Sequence, residues 1–303
     1  MKVKNMVKWR SDGFRQKSTS EKVTLCVFFA FFLAMTVIYI YPIISIFLNS
    51  FRELSEFEEL YVNPNASPFT LPEWQTRSWK EVFTTFKYKD FTYFDMLLNS
   101  IWITGVKVTV NIMASVFLAY AVARFRFPGR NFLYAVVIFS QTIPIVGTGA
   151  ASYKLFTKLN FINNPALMWI AWFSAFDFAF IVLYGTFRGI SPTYSESAKL
   201  DGANNLTVLF RIVLPQAFPC IAALAIQQSI TVWNDYTTSL IYLRDYPNIA
   251  YGLFVTEKSI SYFYNARALY SAVVCISMIP ILILYACSQK LILTNMNAGG
   301  LKG

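Results

Sequence analysis

Charged and amide side chains interrupt the long apolar runs of this 303-residue sequence at few positions, some of them beside aromatic residues. A set of such residues in the second half of the chain consists of Gln141, Asp177, Gln227, Trp233, Asn234, Asp235 and Tyr236. Aromatic faces stack on sugar rings, and amide and carboxylate groups exchange hydrogen bonds with sugar hydroxyls. The set therefore fits a path for an oligosaccharide, and it also fits polar packing between helices.

Two charged residues lie deep inside apolar runs, Lys107 and Asp177. A charge at the centre of a membrane helix costs about 2.5–3.5 kcal/mol on insertion scales, so we expect both side chains to face protein or water. They can pair with each other, or Lys107 can extend to the interface. A structural contact and a role in a substrate path both remain open.

The sequence offers few residues that are suited to catalysis. The sequence has no histidine, and its four cysteines (Cys26, Cys220, Cys275 and Cys287) match no zinc or redox spacing. The phosphate-binding pattern Gly-x4-Gly-Lys-Ser/Thr is also missing. We therefore expect no catalytic site, no metal and no cofactor bound by this chain, and a membrane-embedded enzyme is disfavoured.

The apolar runs themselves predict a membrane protein. The chain is 56% hydrophobic and only 14% charged, and about 20 apolar helical residues cross a bilayer. Six segments qualify as spans: Val23–Asn49, Met96–Val122, Phe132–Tyr153, Pro165–Thr186, Ala217–Tyr242 and Ala268–Ser288. The predicted fold class is an all-α membrane protein with six transmembrane helices.

The distribution of charge orients these spans. Lys and Arg outnumber Asp and Glu in the segments that are internal when both termini are cytoplasmic, whereas the external segments are balanced. The net charge of +10 is thus a positive-inside signal and does not indicate nucleic acid. The predicted order is a cytoplasmic tail 1–22, a first span 23–49, an external loop 50–95, a five-span core 96–293 with a cytoplasmic loop 188–215, and a cytoplasmic tail 294–303.

The cytoplasmic loop contains a patterned stretch, "ESAKLDGANNLTVLFRIVLP", from Glu196 to Pro215. Ser191 and Pro192 form a helix-start signal, and Asp201-Gly202 predicts a stop with glycine in the left-handed conformation. Asn204 or Asn205 can cap a second helix, which we expect Pro215 to break before the fifth span.

Such a loop can lie in the lipid interface, connect two spans, or dock onto a cytoplasmic partner. An interfacial helix normally has a Lys/Arg-rich face, whereas this one carries small residues and an exposed acid, Glu196. Docking is therefore favoured.

The spacing of this stretch resembles the cytoplasmic signature of ABC-importer permeases, Glu-Ala-Ala, three residues, Gly, nine residues, Ile-x-Leu-Pro. Serine replaces the first alanine here. The "LDGA" around Gly202, the "WND" at Trp233–Asp235 and the C-terminal "NAGGLKG" are similar to the carbohydrate-uptake branch, in particular its smaller maltose-permease-like subunit.

This resemblance implies an oligosaccharide importer in the prokaryotic inner membrane. The chain would pair with a second permease, two cytoplasmic ATPases would bind ATP and Mg²⁺, and an external solute-binding protein would deliver the sugar. The ATPase-coupling residues implied by the motif are Glu196, Ser197, Ala198, Asp201, Gly202, Ile212, Leu214 and Pro215. In this role Glu196 pairs with a basic group, the small residues allow close packing, Gly202 sets the turn, and the last three residues anchor the second helix.

Two alternatives remain open from the residues alone. One is a secondary carrier or channel that works without ATPases, and the other is an ABC permease for a solute other than a sugar.

Overall fold

The computed structural model describes residues 18–63, 70–143, 147–260 and 266–299. Within these residues the chain is almost entirely helical. The helices are α1 (Thr19–Asn49), α2 (Leu54–Val62), α3 (Arg77–Thr84), α4 (Tyr93–Arg124), α5 (Arg130–Thr142), α6 (Gly149–Lys158), α7 (Pro165–Trp172), α8 (Phe178–Gly189), α9 (Pro192–Leu200), α10 (Asn205–Val208), α11 (Leu214–Trp233), α12 (Ile249–Ile260) and α13 (Ala266–Gly299). A two-stranded antiparallel hairpin, β1 (Lys87–Tyr88) and β2 (Phe91–Thr92), precedes α4. The tail before residue 18 and residues 300–303 lie outside the described residues.

Four helical stretches are long and apolar enough to cross a membrane: Thr19–Asn49, Tyr93–Arg124, Asn205–Trp233 and Arg267–Gln289. They correspond to the first, second, fifth and sixth predicted spans. Two of these stretches start at capping boxes, in which Ser18 pairs with Glu21 and Thr92 with Asp95.

The third and fourth predicted spans are not continuous helices. The expected helix Phe132–Tyr153 is divided into α5 and α6, and residues 144–146 between them lie outside the described residues. The expected helix Pro165–Thr186 is divided into α7 and α8 by an extended break that ends at Asp177. Hydropathy did not reveal this break because it carries Phe173 and Phe176.

Helix α4 forms the centre of the bundle and packs against α8, α11, α12 and α7. Large side chains between these helices are fully buried, among them Ile103, Phe180, Leu183, Phe187 and Val213. Helix α13 packs against α11, α1, α3 and α12. None of the described residues of α1 is buried, so this helix presents its apolar surface to the surroundings of the chain.

The segment between α1 and α4 is organised by a buried arginine. The Arg52 guanidinium forms an ion pair with Glu56 at 3.2 Å and donates to the hydroxyl and the carbonyl of Thr70. Its backbone carbonyl accepts a hydrogen bond from Gln75. These contacts hold the start of the segment against residues 70–75.

A second apolar cluster joins this segment to the bundle. Phe86 and Met96 are buried against α12, where Gly252 lies so close that an added Cβ would be 2.7 Å from the Met96 sulfur. The hydroxyls of Tyr88 and Tyr251 are 3.0 Å apart. Burial and this hydrogen bond raise the pKa of Tyr251 to about 12. The hairpin and α12 are therefore fixed to each other.

Candidate coupling loop and transport path

The stretch that the sequence predicts to be cytoplasmic folds as expected, as a helix, a turn and a second helix. The hydroxyl of Ser191 caps α9 by accepting a hydrogen bond from the Thr193 N–H, and Pro192 occupies the first helical position. Asn204 caps α10, its side chain accepting from the Thr207 N–H at 2.7 Å. Local residue preferences therefore position both helices.

The turn after α9 has a glycine in the left-handed region, with Gly202 at φ +86°. The Ala203 N–H donates to the Ala198 carbonyl at 2.9 Å, and the Gly202 N–H donates to the Lys199 carbonyl at 3.0 Å. This pair of bonds is the Schellman motif, which satisfies the last carbonyls of a helix. The predicted left-handed turn is confirmed.

Apolar side chains project outward from this short unit. Tyr194, Leu200, Leu206 and Phe210 are 57%, 90%, 61% and 50% exposed. Glu196, Ser197 and Asp201 are also exposed. An exposed apolar set next to a carboxylate is suited to contact with another protein.

The anchoring of the second helix differs in detail from the expectation. The fully buried side chains are Val208, Leu209 and Val213, whereas Ile212 and Leu214 are half-buried. The reason is a π-helical turn at Leu209–Val213, which inserts an extra residue and rotates the inward face.

The sequence predicts that Pro215 breaks the second helix, and this prediction is wrong. The helical stretch runs without interruption from Asn205 to Trp233, with Pro215 in the first turn of α11. The wide π turn immediately before it relieves the clash that a proline ring makes with the preceding turn. Helix α10, the π turn and α11 therefore form one continuous helical rod, Asn205–Trp233.

The charged residue Lys107 pairs with Asp235 and not with Asp177. Its ammonium lies 2.9 Å from Asp235 Oδ2 and donates to the Thr238 hydroxyl at 3.1 Å. Asp235 also accepts from the Thr238 hydroxyl at 2.6 Å and from the backbone N–H groups of Thr237 and Thr238. Each oxygen of Asp235 thus has two donors within the chain, so this carboxylate positions the turn after α11.

Asp177 has a different role from pairing with Lys107. Its Oδ1 caps α8 by accepting from the Phe180 N–H at 3.0 Å, and it also accepts from the Ser115 hydroxyl at 2.9 Å. Gln141 donates to the Phe176 carbonyl at 2.7 Å, across the same break. Asn111 donates to the Ser174 carbonyl at 2.8 Å. Side-chain amides therefore satisfy the irregular backbone between α7 and α8, as such backbone requires at membrane depth.

The remaining candidate residues divide by exposure. Trp233 is buried, and its indole N–H donates to the Ser277 carbonyl at 3.2 Å. Gln227, Asn234 and Tyr236 are exposed. The Tyr236 ring stacks on Phe254 with centroids 4.2 Å apart.

Sequence reasoning singled out Lys107 but missed Asn111 and Ser115, which extend it into a polar stripe on α4. Lys107, Asn111 and Ser115 follow each other at intervals of four residues and share one helix face. Lys107 donates to Asp235. Asn111 donates to the backbone carbonyl of Ser174 in the break before α8, and Ser115 donates to Asp177. The four-residue spacing of polar residues in an otherwise apolar run was the signal that could have revealed them.

Within the described parts of the chain, no group of three or more His, Cys, Asp or Glu side chains is arranged to hold a metal ion.

Comparison with known families identifies the class of protein. A model described as "Binding-protein-dependent transport system inner membrane component" matches residues 111–297, more than half of the chain. The chain belongs to this family, whose members are permease subunits of transport systems and not enzymes. The resemblance to ABC-importer permeases is thereby confirmed.

Curated relatives match over nearly the whole chain. The diacetylchitobiose uptake system permease protein NgcG of Streptomyces coelicolor is 25% identical, over 94% of this chain and 91% of the relative. The arabinooligosaccharides transport system permease protein AraQ of Halalkalibacterium halodurans is 27% identical, over 92% of this chain and 96% of the relative.

Solved structures show the same fold. A bacterial ABC transporter involved in the import of the acidic polysaccharide alginate matches with a TM-score of 0.75 at 22% identity, over 90% of this chain and 98% of that chain. A structure of the alginate transporter with an alginate pentasaccharide-bound periplasmic protein matches with a TM-score of 0.58 at 16% identity, over 91% and 99% of the two chains.

Proposed function

We propose that this chain is a permease subunit of an ATP-driven importer of oligosaccharides in the prokaryotic inner membrane. The observation that carries the proposal is the exposed unit of α9 and α10, whose second helix is continuous with α11 in an apolar stretch of membrane length. The names of the relatives, which refer to diacetylchitobiose and arabinooligosaccharides, support an oligosaccharide as the solute class.

The proposed topology has six spans and cytoplasmic termini. The four long helices account for four crossings, and the pairs α5–α6 and α7–α8 supply the third and fourth. The charge asymmetry of the connecting segments supports this orientation. It places α9 and α10 in the cytoplasm and the Arg52 segment outside.

The proposed partners are a second, related permease, two cytoplasmic ATPases that bind ATP and Mg²⁺, and an external solute-binding protein. The exposed set around Leu200 together with Glu196 would contact an ATPase, and the rod Asn205–Trp233 would carry its movement into the bundle. The other residues of the predicted coupling set would shape and support this contact surface: Ser197, Ala198, Asp201, Gly202, Ile212, Leu214 and Pro215. No nucleic acid or cofactor bound by this chain is part of the proposal.

The proposed path for the sugar uses the exposed polar and aromatic residues Gln141, Gln227, Asn234 and Tyr236. Asp177 and Asp235 hold the neighbouring backbone in place, and Trp233 packs inside.

Uptake by reconstituted vesicles tests this function. The chain, purified with its companions, is placed in liposomes loaded with ATP on the side of the ATPases, and the uptake of labelled oligosaccharides, amino acids and phosphate is compared. ATP-dependent uptake of an oligosaccharide is the expected result. ATP-independent uptake would favour a secondary carrier, and uptake of an amino acid or phosphate alone would contradict the sugar assignment.

A further inference from the structure

A small polar cavity of about 140 Å³ lies behind the coupling unit, between α4, α9 and α10. The end of α4 contributes Tyr120 and Arg124, and α9 contributes Ser195, Glu196 and Lys199. The cavity is too small for a complete organic ligand of ordinary size, and it suits a single charged group.

Among the described residues, two hydrogen-bond donors at this cavity are buried without a protein partner. These are Nε of Arg124 and the hydroxyl of Ser195. In the described part of the chain the Arg124 guanidinium donates only through Nη2, to the Ile190 carbonyl at 2.9 Å. A buried donor left unpaired costs free energy, so its presence indicates a missing acceptor.

The charge of the lining favours an anion. Arg124 and Lys199 are cations and Glu196 is the single carboxylate among the lining residues. A planar guanidinium, an ammonium and a hydroxyl together form the donor set that phosphate oxygens accept from.

The position of Arg124 along α4 decides the source of the phosphate. Helix α4 has 32 residues, and at 1.5 Å per residue it is about 48 Å long. The bilayer core is about 30 Å thick and its headgroup regions extend this to about 40–45 Å. With Lys107 near the middle of the helix, its last residue, Arg124, reaches the level of the lipid phosphates.

We propose that this cavity binds the phosphate of an anionic phospholipid from the cytoplasmic leaflet. The bound headgroup would join the end of α4 to α9 and so stabilise the position of the coupling unit. The leaflet assignment rests on the proposed topology. The binding itself is measured on the isolated chain, so its failure leaves the proposed transport function untouched.

Native mass spectrometry of the purified full chain in detergent tests the proposal. Dioleoylphosphatidylglycerol is titrated in, with dioleoylphosphatidylcholine and inorganic phosphate as comparison probes. Arg124→Gln and Lys199→Gln should each weaken phosphatidylglycerol binding about fivefold, because each removes a charge-assisted hydrogen bond to the phosphate. Arg126→Gln, which removes the same charge from an exposed residue outside the cavity lining, should leave the affinity within about twofold.

If Arg124→Gln fails to fold, Lys199→Gln still tests the proposal, because Lys199 is exposed and its substitution should leave the fold intact. Equal losses in Arg126→Gln and Lys199→Gln would show diffuse attraction only and would overturn the proposal. Equal binding of phosphatidylcholine would overturn it as well. Displacement of the lipid by millimolar inorganic phosphate would assign the cavity to a soluble anion instead.

Discussion

Lys107 on α4 and Asp235 after α11 form an ion pair at 2.9 Å, and the Thr238 hydroxyl contacts both. The two side chains are only 26% and 23% exposed. Because the pair lies near the middle of α4, it fixes two core helices at the depth where an isolated charge is least tolerated.

Breaking this pair on one side should destabilise the chain. Lys107→Met leaves the Asp235 carboxylate without its cation, and we expect a loss of about 1–3 kcal/mol, reduced from the value for a fully buried pair by the residual exposure. Thermal unfolding in detergent measures it. The double variant Lys107→Met/Asp235→Asn should recover most of the loss, and strictly additive effects of the two changes would contradict the pairing.

The left-handed turn at Gly202 should resist side chains for conformational reasons alone. No described atom lies within 4 Å of an added Cβ, yet φ is +86°. Gly202→Val should therefore impair ATPase binding and transport while insertion stays normal, since a β-branched residue disfavours this region.

Gly189→Val is the matched control for Gly202, because its Cβ also meets open space and its φ is not positive. Similar losses of transport in both variants would show that the turn geometry is not the cause.

Gly252 should tolerate no side chain, for a steric reason. A Cβ there would lie 2.7 Å from the sulfur of fully buried Met96 and 3.2 Å from Phe86. Gly252→Ala should cost about 1–3 kcal/mol through overpacking, read as a lower unfolding midpoint. Gly105→Ala is the control, because no described atom lies within 4 Å of its added Cβ, and it should be neutral or slightly stabilising. Equal destabilisation by Gly252→Ala and Gly105→Ala would contradict the close contact at Gly252.

Leu200 should act in partner binding and not in folding. It is 90% exposed at the end of α9, so Leu200→Glu should leave the unfolding midpoint unchanged and weaken association with the ATPases at least tenfold. Leu71→Glu replaces a 73% exposed leucine in the external segment and should have no effect on association. A fall in stability without a fall in association would assign Leu200 to the fold.

Local rules predicted the cytoplasmic unit well and long-range contacts poorly. Ser191, Gly202 and Asn204 follow capping preferences that depend on a few neighbouring residues, and the structure has all three in the expected positions. The partner of Lys107 depends on how α4 is rotated against α11, which hydropathy does not encode.

The break before Asp177 escaped prediction for a related reason. Its backbone is satisfied by Asn111 and Gln141 from other helices, so the sequence around it carries no local stop signal. The sequence also did not distinguish which candidate path residues are accessible. The structure shows that Trp233 is buried and Asn234 is exposed.

The most direct test of the central claim is mild-detergent purification of the tagged chain from its native membrane, with its companions identified by mass spectrometry. The account predicts an ATPase and a second permease, with the ATPase lost on Glu196→Lys through like-charge contact while membrane insertion is unchanged. A homo-oligomer without any ATPase would contradict the importer assignment, and ATPase retention in Glu196→Lys would remove the proposed role of that carboxylate.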